Sequence, residues 1–193
     1  MRIVGGRHRG RQIDAPPGRD VRPTTDRVRE AIFNVLAHAD WGEDVGDPLN
    51  GAQVLDAFCG TGALALEALS RGAERAVLMD LSPGSLGIAR RNVDRLGEGG
   101  RAAVIRADAL KPPAARFQAS LCFLDPPYGR DLAAPALQAL AAAGWLADGA
   151  LAVVELSKAD TFVPPAGFTL LDERRYGDTA VLFLKTEGGR WLK

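Results

Sequence analysis

The sequence predicts an α/β fold built on one mostly parallel sheet with helices on both faces. Three observations point to it. From residue 53 onward, short apolar runs alternate with helical stretches, the pattern of strands joined by crossover helices. A glycine-rich loop, Cys59-Gly60-Thr61-Gly62, follows the first of those runs. The rigid tetrapeptide Asp125-Pro126-Pro127-Tyr128 follows a later one, and sheets of this kind bind ligands beyond the carboxyl ends of their strands. The chain has 193 residues, 47% apolar and 25% charged, which suits one domain with a small appendage and excludes a disordered tail or a fibre.

Residues 2–5 and 11–13 read as a hairpin around Gly6-Arg7-His8-Arg9-Gly10. A polar loop with prolines, 14–23, leads into a helix. Thr24 or Thr25 can cap it, Asp26 lies in its first turn, and Val28, Ala31, Ile32, Val35 and Leu36 form one apolar face. Residues 37–51 have no periodicity. A boundary is expected there, between a hairpin-and-helix extension over 1–40 and the main domain over 41–193. Residues 53–58 are a strand, 63–71 a helix and 76–80 a strand. Ser82 caps the next helix, Pro83 fits its first position, Leu86, Ala89, Val93 and Leu96 face inward, and Gly97 stops it. Residues 102–106 and 119–124 are strands, 132–143 a helix and 150–156 a strand. Strands 168–175 and 180–185 are joined by the short turn 176–179, so the last strand runs antiparallel.

The two cysteines, Cys59 and Cys122, have no partner at metal-ligand or disulfide spacing, so neither a metal site nor a disulfide framework is expected. No apolar run reaches membrane-spanning length and no apolar segment follows Met1. A cytoplasmic protein with no membrane partner is expected. Net charge is zero, but residues 1–36 carry a balance of +4, and every basic residue among them is arginine, the better phosphate fork. Arg7, Arg9, Arg11, Arg22, Arg27 and Arg29 are therefore candidate RNA contacts, against the alternative of a solvated surface.

Around the glycine loop, Asp56 precedes the turn and Asp80 ends the second strand. The glycines allow close backbone approach, and the helix N-terminus offers free N–H groups to an anion. A strand-end carboxylate can take both hydroxyls of a ribose. Gly60-x-Gly62-x-x-Ala65 nearly satisfies a dinucleotide fingerprint, which alone is weak. Asp56 favours a different ligand. It would repel a pyrophosphate and attract an ammonium or sulfonium, as found in S-adenosylmethionine. Asp108, past the third strand, can accept from an adenine amino group.

Asp125-Pro126-Pro127-Tyr128 carries the chemistry. An exocyclic amine has two hydrogens to donate, and the Asp125 carboxylate and the Pro126 carbonyl can receive them. Tyr128 offers a ring on which an unstacked base can rest. Methyl transfer then needs positioning and electrostatics, with no covalent intermediate. The cysteines read as small core residues.

The order of glycine loop, strand-end acid and Asp-Pro-Pro-Tyr resembles class I S-adenosylmethionine-dependent methyltransferases acting on exocyclic amines. The chain is most similar to the RsmD family of bacterial 16S rRNA guanine-N2 methyltransferases. The blocks Met1–Gly6, Arg22–Ala31, Val54–Asp56, Gly62–Leu64, Leu66–Ala73, Leu124–Tyr128 and Arg174–Thr179 carry this resemblance. It implies a Rossmann-like class I fold with a seven-stranded sheet in the order 3-2-1-4-5-7-6 and an N-terminal hairpin that helps hold RNA. It implies cofactor binding by Asp56, Phe58, Gly60, Thr61, Gly62, Asp80, Leu81, Asp108 and Ala109, and guanine held by Asp125, Pro126 and Tyr128. The implied partner is 16S rRNA within an assembled or partly assembled small subunit, and a monomer is expected. Cys59 departs from the family's usual Ala or Ser. Leu81-Ser82-Pro83 replaces its usual charged residues.

Other readings stay open on sequence. A DNA adenine-N6 or cytosine-N4 methyltransferase would use the same tetrapeptide. A nicotinamide oxidoreductase would need a hydride-site residue that neither His8 nor His38 supplies. A non-catalytic RNA-binding protein would leave Asp-Pro-Pro-Tyr unexplained. Tyr176 and Asp178 either line the substrate entrance or serve a plain hairpin turn around Gly177.

Overall fold

The computed structural model describes residues 1–16, 26–42 and 45–188. Arg22, Thr24 and Thr25 lie outside the described residues. Seven strands form one sheet in the order β3-β2-β1-β4-β5-β7-β6. They are β1 (Gln53–Ala57), β2 (Arg75–Asp80), β3 (Ala102–Arg106), β4 (Ala119–Leu124), β5 (Leu146–Ser157), β6 (Phe168–Tyr176) and β7 (Thr179–Thr186). The helices are α1 (Asp26–His38), α2 (Ala63–Ser70), α3 (Pro83–Leu96) and α4 (Ala133–Ala142). Strands β1 to β5 pair in parallel, and β7 runs antiparallel to both β5 and β6. This is the α/β fold that the alternation predicts, with the strand order that the family resemblance implies.

Alternation along the strands sorts the core into two layers. Val54, Leu78, Leu121, Val153 and Phe183 pack with α1, α2 and α3. Leu55, Met79, Cys122, Val154 and Leu184 face the other way and pack with α4. Residues of the N-terminal extension belong to the first layer. Ile3, Ile13, Ile32, Phe33 and Leu36 are buried in it, and the Phe33 and Phe123 rings lie 5.6 Å apart.

Helix α3 starts and stops as its sequence dictates. The Ser82 side chain accepts from Ser85 N–H, Pro83 sits in the first turn, and Gly97 ends the helix in the left-handed region at φ 74°. Strand β5 differs from expectation, beginning at Leu146 rather than Ala150. Asp148-Gly149 reads as a turn. Here a register shift between Ala119 and Leu121 absorbs it, and the strand continues through Gly149 at φ 74°.

The N-terminal hairpin also differs. Only Arg2 and Gln12 form a bridge, around a short 3-10 turn at Gly6–His8. Backbone bonds from Ile3 N–H to Arg11 O and from Ile13 N–H to Met1 O complete the pairing. Two strands of this length are marginal alone, and the arm is held by burying Ile3 and Ile13 instead. No helix among the described residues is long and apolar enough to cross a membrane.

Candidate active site

The glycine loop is shaped by two acids. Asp56, at the end of β1, is 1% exposed, and its carboxylate accepts from the Ala65 N–H at 3.1 Å in the first turn of α2. Asp80, at the end of β2, accepts from Gly60 N–H at 3.0 Å and from Ser82 N–H at 2.8 Å. The loop is thereby drawn over the sheet edge. Phe58, Gly60 and Gly62 all lie at positive φ, at 62°, 52° and 77°. For Phe58 that is a strained conformation of the kind found where a site demands it. A Cβ on Gly60 would meet nothing within 4 Å, so the backbone there is open to approach. Burial pushes the Asp56 carboxyl up to about 8, against the bond from Ala65, and the nearby Asp80 charge adds to the rise.

The remaining cofactor candidates are spread around this loop. Leu81 is 54% exposed beside Asp80. Asp108 accepts from Leu110 N–H at 2.9 Å and so shapes its own turn, with Ala109 buried next to it. Thr61 is buried, its hydroxyl 3.8 Å from Met1 Sδ and its carbonyl accepting from Asn92.

The Asp-Pro-Pro-Tyr loop leaves the adjacent strand. β1 and β4 pair with Ala57 opposite Leu124, so the two loops emerge side by side. Alternation puts Asp56 on the face of Val54, Asp125 on that of Phe123 and Glu155 on that of Val153, all one face. Pro126 is buried and Tyr128 is 37% exposed. The Tyr128 hydroxyl donates to Glu155 Oε1 at 3.0 Å and also hydrogen-bonds the Thr179 side chain. Burial, then the charges of Glu155 and Asp125, hold the phenol well above its usual range. A groove of about 240 Å³ adjoins the loop, lined by Pro126, Pro127, Leu156, Phe162 and Val163 among others. The turn after β6 reaches the same edge, where Asp178 pairs with Lys158 at 2.8 Å and Tyr176 packs against the first core layer. Burial raises both cysteine thiols, which suits core residues and not nucleophiles.

Among the described residues, the candidate arginines are not gathered at this crevice. Arg29 corrects the RNA-contact expectation: it is fully buried, bonded to Arg2 O and Asp26, and 3.6 Å from Glu67. Its chemistry is internal charge pairing. Arg7 pairs with buried Glu98, and Arg11 caps the carbonyls of Arg95 and Leu96 at the end of α3. Helix α3 runs from the Asp80 edge to the opposite edge, so these two lie on the far side from the glycine loop. Arg9 and Arg27 are exposed. Arg27 is in the first turn of α1, where Asp26 pairs with Arg2 at 3.5 Å.

Glu155, Asn92 and Glu67 are among the buried polar residues that the sequence did not single out. Glu155 bonds Tyr128. Asn92 ties Asp14 to the Thr61 carbonyl. Glu67 accepts from Val4 and Gly5 N–H groups and pairs with Arg71. Each stands as a lone polar residue in an apolar helix face or strand, and that was the available signal.

A family model described as conserved hypothetical protein 95 matches residues 1–185. Ribosomal RNA small subunit methyltransferase D of Escherichia coli K12 is 37% identical over 190 residues, covering 97% of this chain and 90% of that one. The Haemophilus influenzae protein of the same name is 33% identical over 181 residues, with 92% and 89% covered. The solved structure of Escherichia coli yhhF is similar at a TM-score of 0.81 and 37% identity, covering 98% of this chain and 99% of that one.

Proposed function

The chain belongs to the RsmD family, and on that premise we propose that it uses S-adenosylmethionine to methylate the N2 amine of a guanine in 16S rRNA. The relatives named as ribosomal RNA small subunit methyltransferases support the RNA class. The observation that carries the reaction is the juxtaposition of the two loops on β1 and β4, with Asp56 and Asp125 on one face.

The residues of the first loop suit the cofactor. Gly60 leaves its surface open, the N-terminus of α2 can face a carboxylate, and Asp80 stands at the strand end for the ribose. Asp56, Phe58, Thr61, Gly62 and Leu81 would frame it, and Asp108 and Ala109 would meet the adenine. When bound, S-adenosylmethionine supplies an electrophilic methyl carbon on a sulfonium.

The second loop presents the amine. The Asp125 carboxylate and the Pro126 carbonyl accept hydrogen bonds from its two N–H groups, which aims the nitrogen lone pair at the cofactor side. The one proton the nitrogen sheds on methylation leaves to Asp125 or to water, and the cofactor departs as the neutral thioether. Tyr128 stacks on the extruded base. Catalysis is then positioning in a partly dry site. The partner is 16S rRNA in an assembled or partly assembled small subunit, met by a monomer in the cytoplasm. Arg9 and Arg27, with Arg22, are the arginines proposed for phosphate contact, with Arg7 contributing its exposed part.

Replacing Asp125 with Ala tests the reaction. Methyl transfer should fall by about 10²–10³-fold, the loss typical of removing one well-placed polar group. Binding of S-adenosylmethionine and RNA should persist. Retained transfer would contradict the mechanism.

A further inference from the structure

Glu155 is a buried carboxylate that the reaction as described does not use. It is 5% exposed, in a run of β5 that is otherwise apolar from Ala150 to Leu156. A buried charge costs several kcal/mol unless well paired, so packing alone does not account for it. It reaches the catalytic loop, as acceptor at 3.0 Å for the Tyr128 hydroxyl. Thr179, 3% exposed at the start of β7, holds the same hydroxyl. Leu124 pairs with Val154, so Glu155 is the neighbour of Asp125 across the parallel pair. Thr179 pairs with Ser157 on the other side of β5. Three adjacent strands thus meet at one phenol, while its residue stays 37% exposed.

We propose that Glu155, seconded by Thr179, is a positioning residue that anchors Tyr128 by its hydroxyl and so fixes the ring on which the target base stacks. This rests on the assignment of Tyr128 to the base. The anchor removes ring mobility before the base arrives, so less freedom is lost on binding. It acts on the substrate side of the crevice and leaves the cofactor loop alone.

A double-mutant cycle tests it. Tyr128→Phe removes the donor, Glu155→Ala removes the acceptor, and the double variant removes both. Each single variant should lower kcat/KM for unmethylated small-subunit RNA about tenfold, the upper range for one hydrogen bond. The double variant should lose no more than either single one. Glu155→Gln, which keeps a carbonyl acceptor, should restore most of the activity. S-adenosylmethionine affinity, measured by calorimetry, should be unchanged throughout. Tyr128→Phe leaves the carboxylate in place and keeps the test alive if Glu155→Ala does not fold. Additive losses, or a fully active Tyr128→Phe, would overturn the inference alone. A wild-type protein that binds the cofactor and transfers no methyl group would overturn the assignment of the site as well.

Discussion

Asp56 shows how one residue couples the site to stability. Its carboxyl is raised from 3.8 to about 8, chiefly by burial. Between those values the unfolded chain releases a proton that the folded chain keeps, so stability falls as pH rises through that window and levels off above it. The melting temperature of the cofactor-free protein should therefore drop from pH 5 to pH 8. Asp56→Asn keeps an acceptor for the Ala65 N–H and should flatten that slope; an unchanged slope in this variant would place the pH dependence elsewhere. Asp56, Asp80 and Asp125 were legible in the sequence because each closes an apolar run beside a loop of distinctive composition. Glu155, Asn92 and Glu67 were not assigned roles, because their partners are remote in the chain. Tyr128 is 27 residues from Glu155, and Val4 is 63 from Glu67. A lone polar residue in an apolar run announces that it must be paired and does not say with what.

At the scale of elements, the glycine loop is a packed joint. Gly62 lies at φ 77°, and a Cβ there would come within 2.4 Å of Leu78 Cδ2 on β2. Gly62→Ala should destabilise the protein by about 1–3 kcal/mol, from overpacking together with the left-handed backbone. Denaturant unfolding measures this, and a wild-type midpoint would mean that Leu78 repacks freely. Boundaries were most legible where capping chemistry is local. Ser82, Pro83 and Gly97 delimit α3 as expected. They were least legible where pairing decides. The start of β5 depends on Ala119 meeting Leu146 across a register shift, and nothing between residues 146 and 149 signals that partner.

For the whole molecule, the N-terminal arm is part of the structure and not a loose RNA hook. Glu67 holds the Val4 and Gly5 N–H groups at 2.8 and 2.7 Å and pairs with Arg71 at 2.7 Å. A Cβ on Gly6 would come within 1.9 Å of the Ser70 carbonyl oxygen, so the arm lies tight on α2. At the far end, Glu98 gathers Arg7, His8 and Arg101, and these bonds hold its carboxyl below the usual range against the cost of burial. Glu67→Ala should cost about 3–5 kcal/mol, since it breaks the buried pair with Arg71 and leaves the Val4 and Gly5 N–H groups without their acceptor. Thermal unfolding reads that loss, and a variant as stable as wild type would show that the arm is held by Ile3 and Ile13 alone. The alternation of strands and helices made a parallel sheet legible. It did not order the strands; that order came with the resemblance to the RsmD family. The docking of the arm was hidden because the positive charge of residues 1–36 reads as one patch. In the fold, Arg29 is consumed internally and Arg7 and Arg11 are tied to the end of α3.

Cofactor loop, base platform and RNA partner all converge on one methylated atom, the guanine N2. Labelled S-adenosylmethionine, offered with unmodified small-subunit particles, naked small-subunit RNA and duplex DNA, tests it most directly once the products are digested to nucleosides. N2-methylguanosine should form from the RNA substrates, and the DNA should stay unlabelled. Label in an adenine or cytosine of any substrate would contradict the guanine assignment.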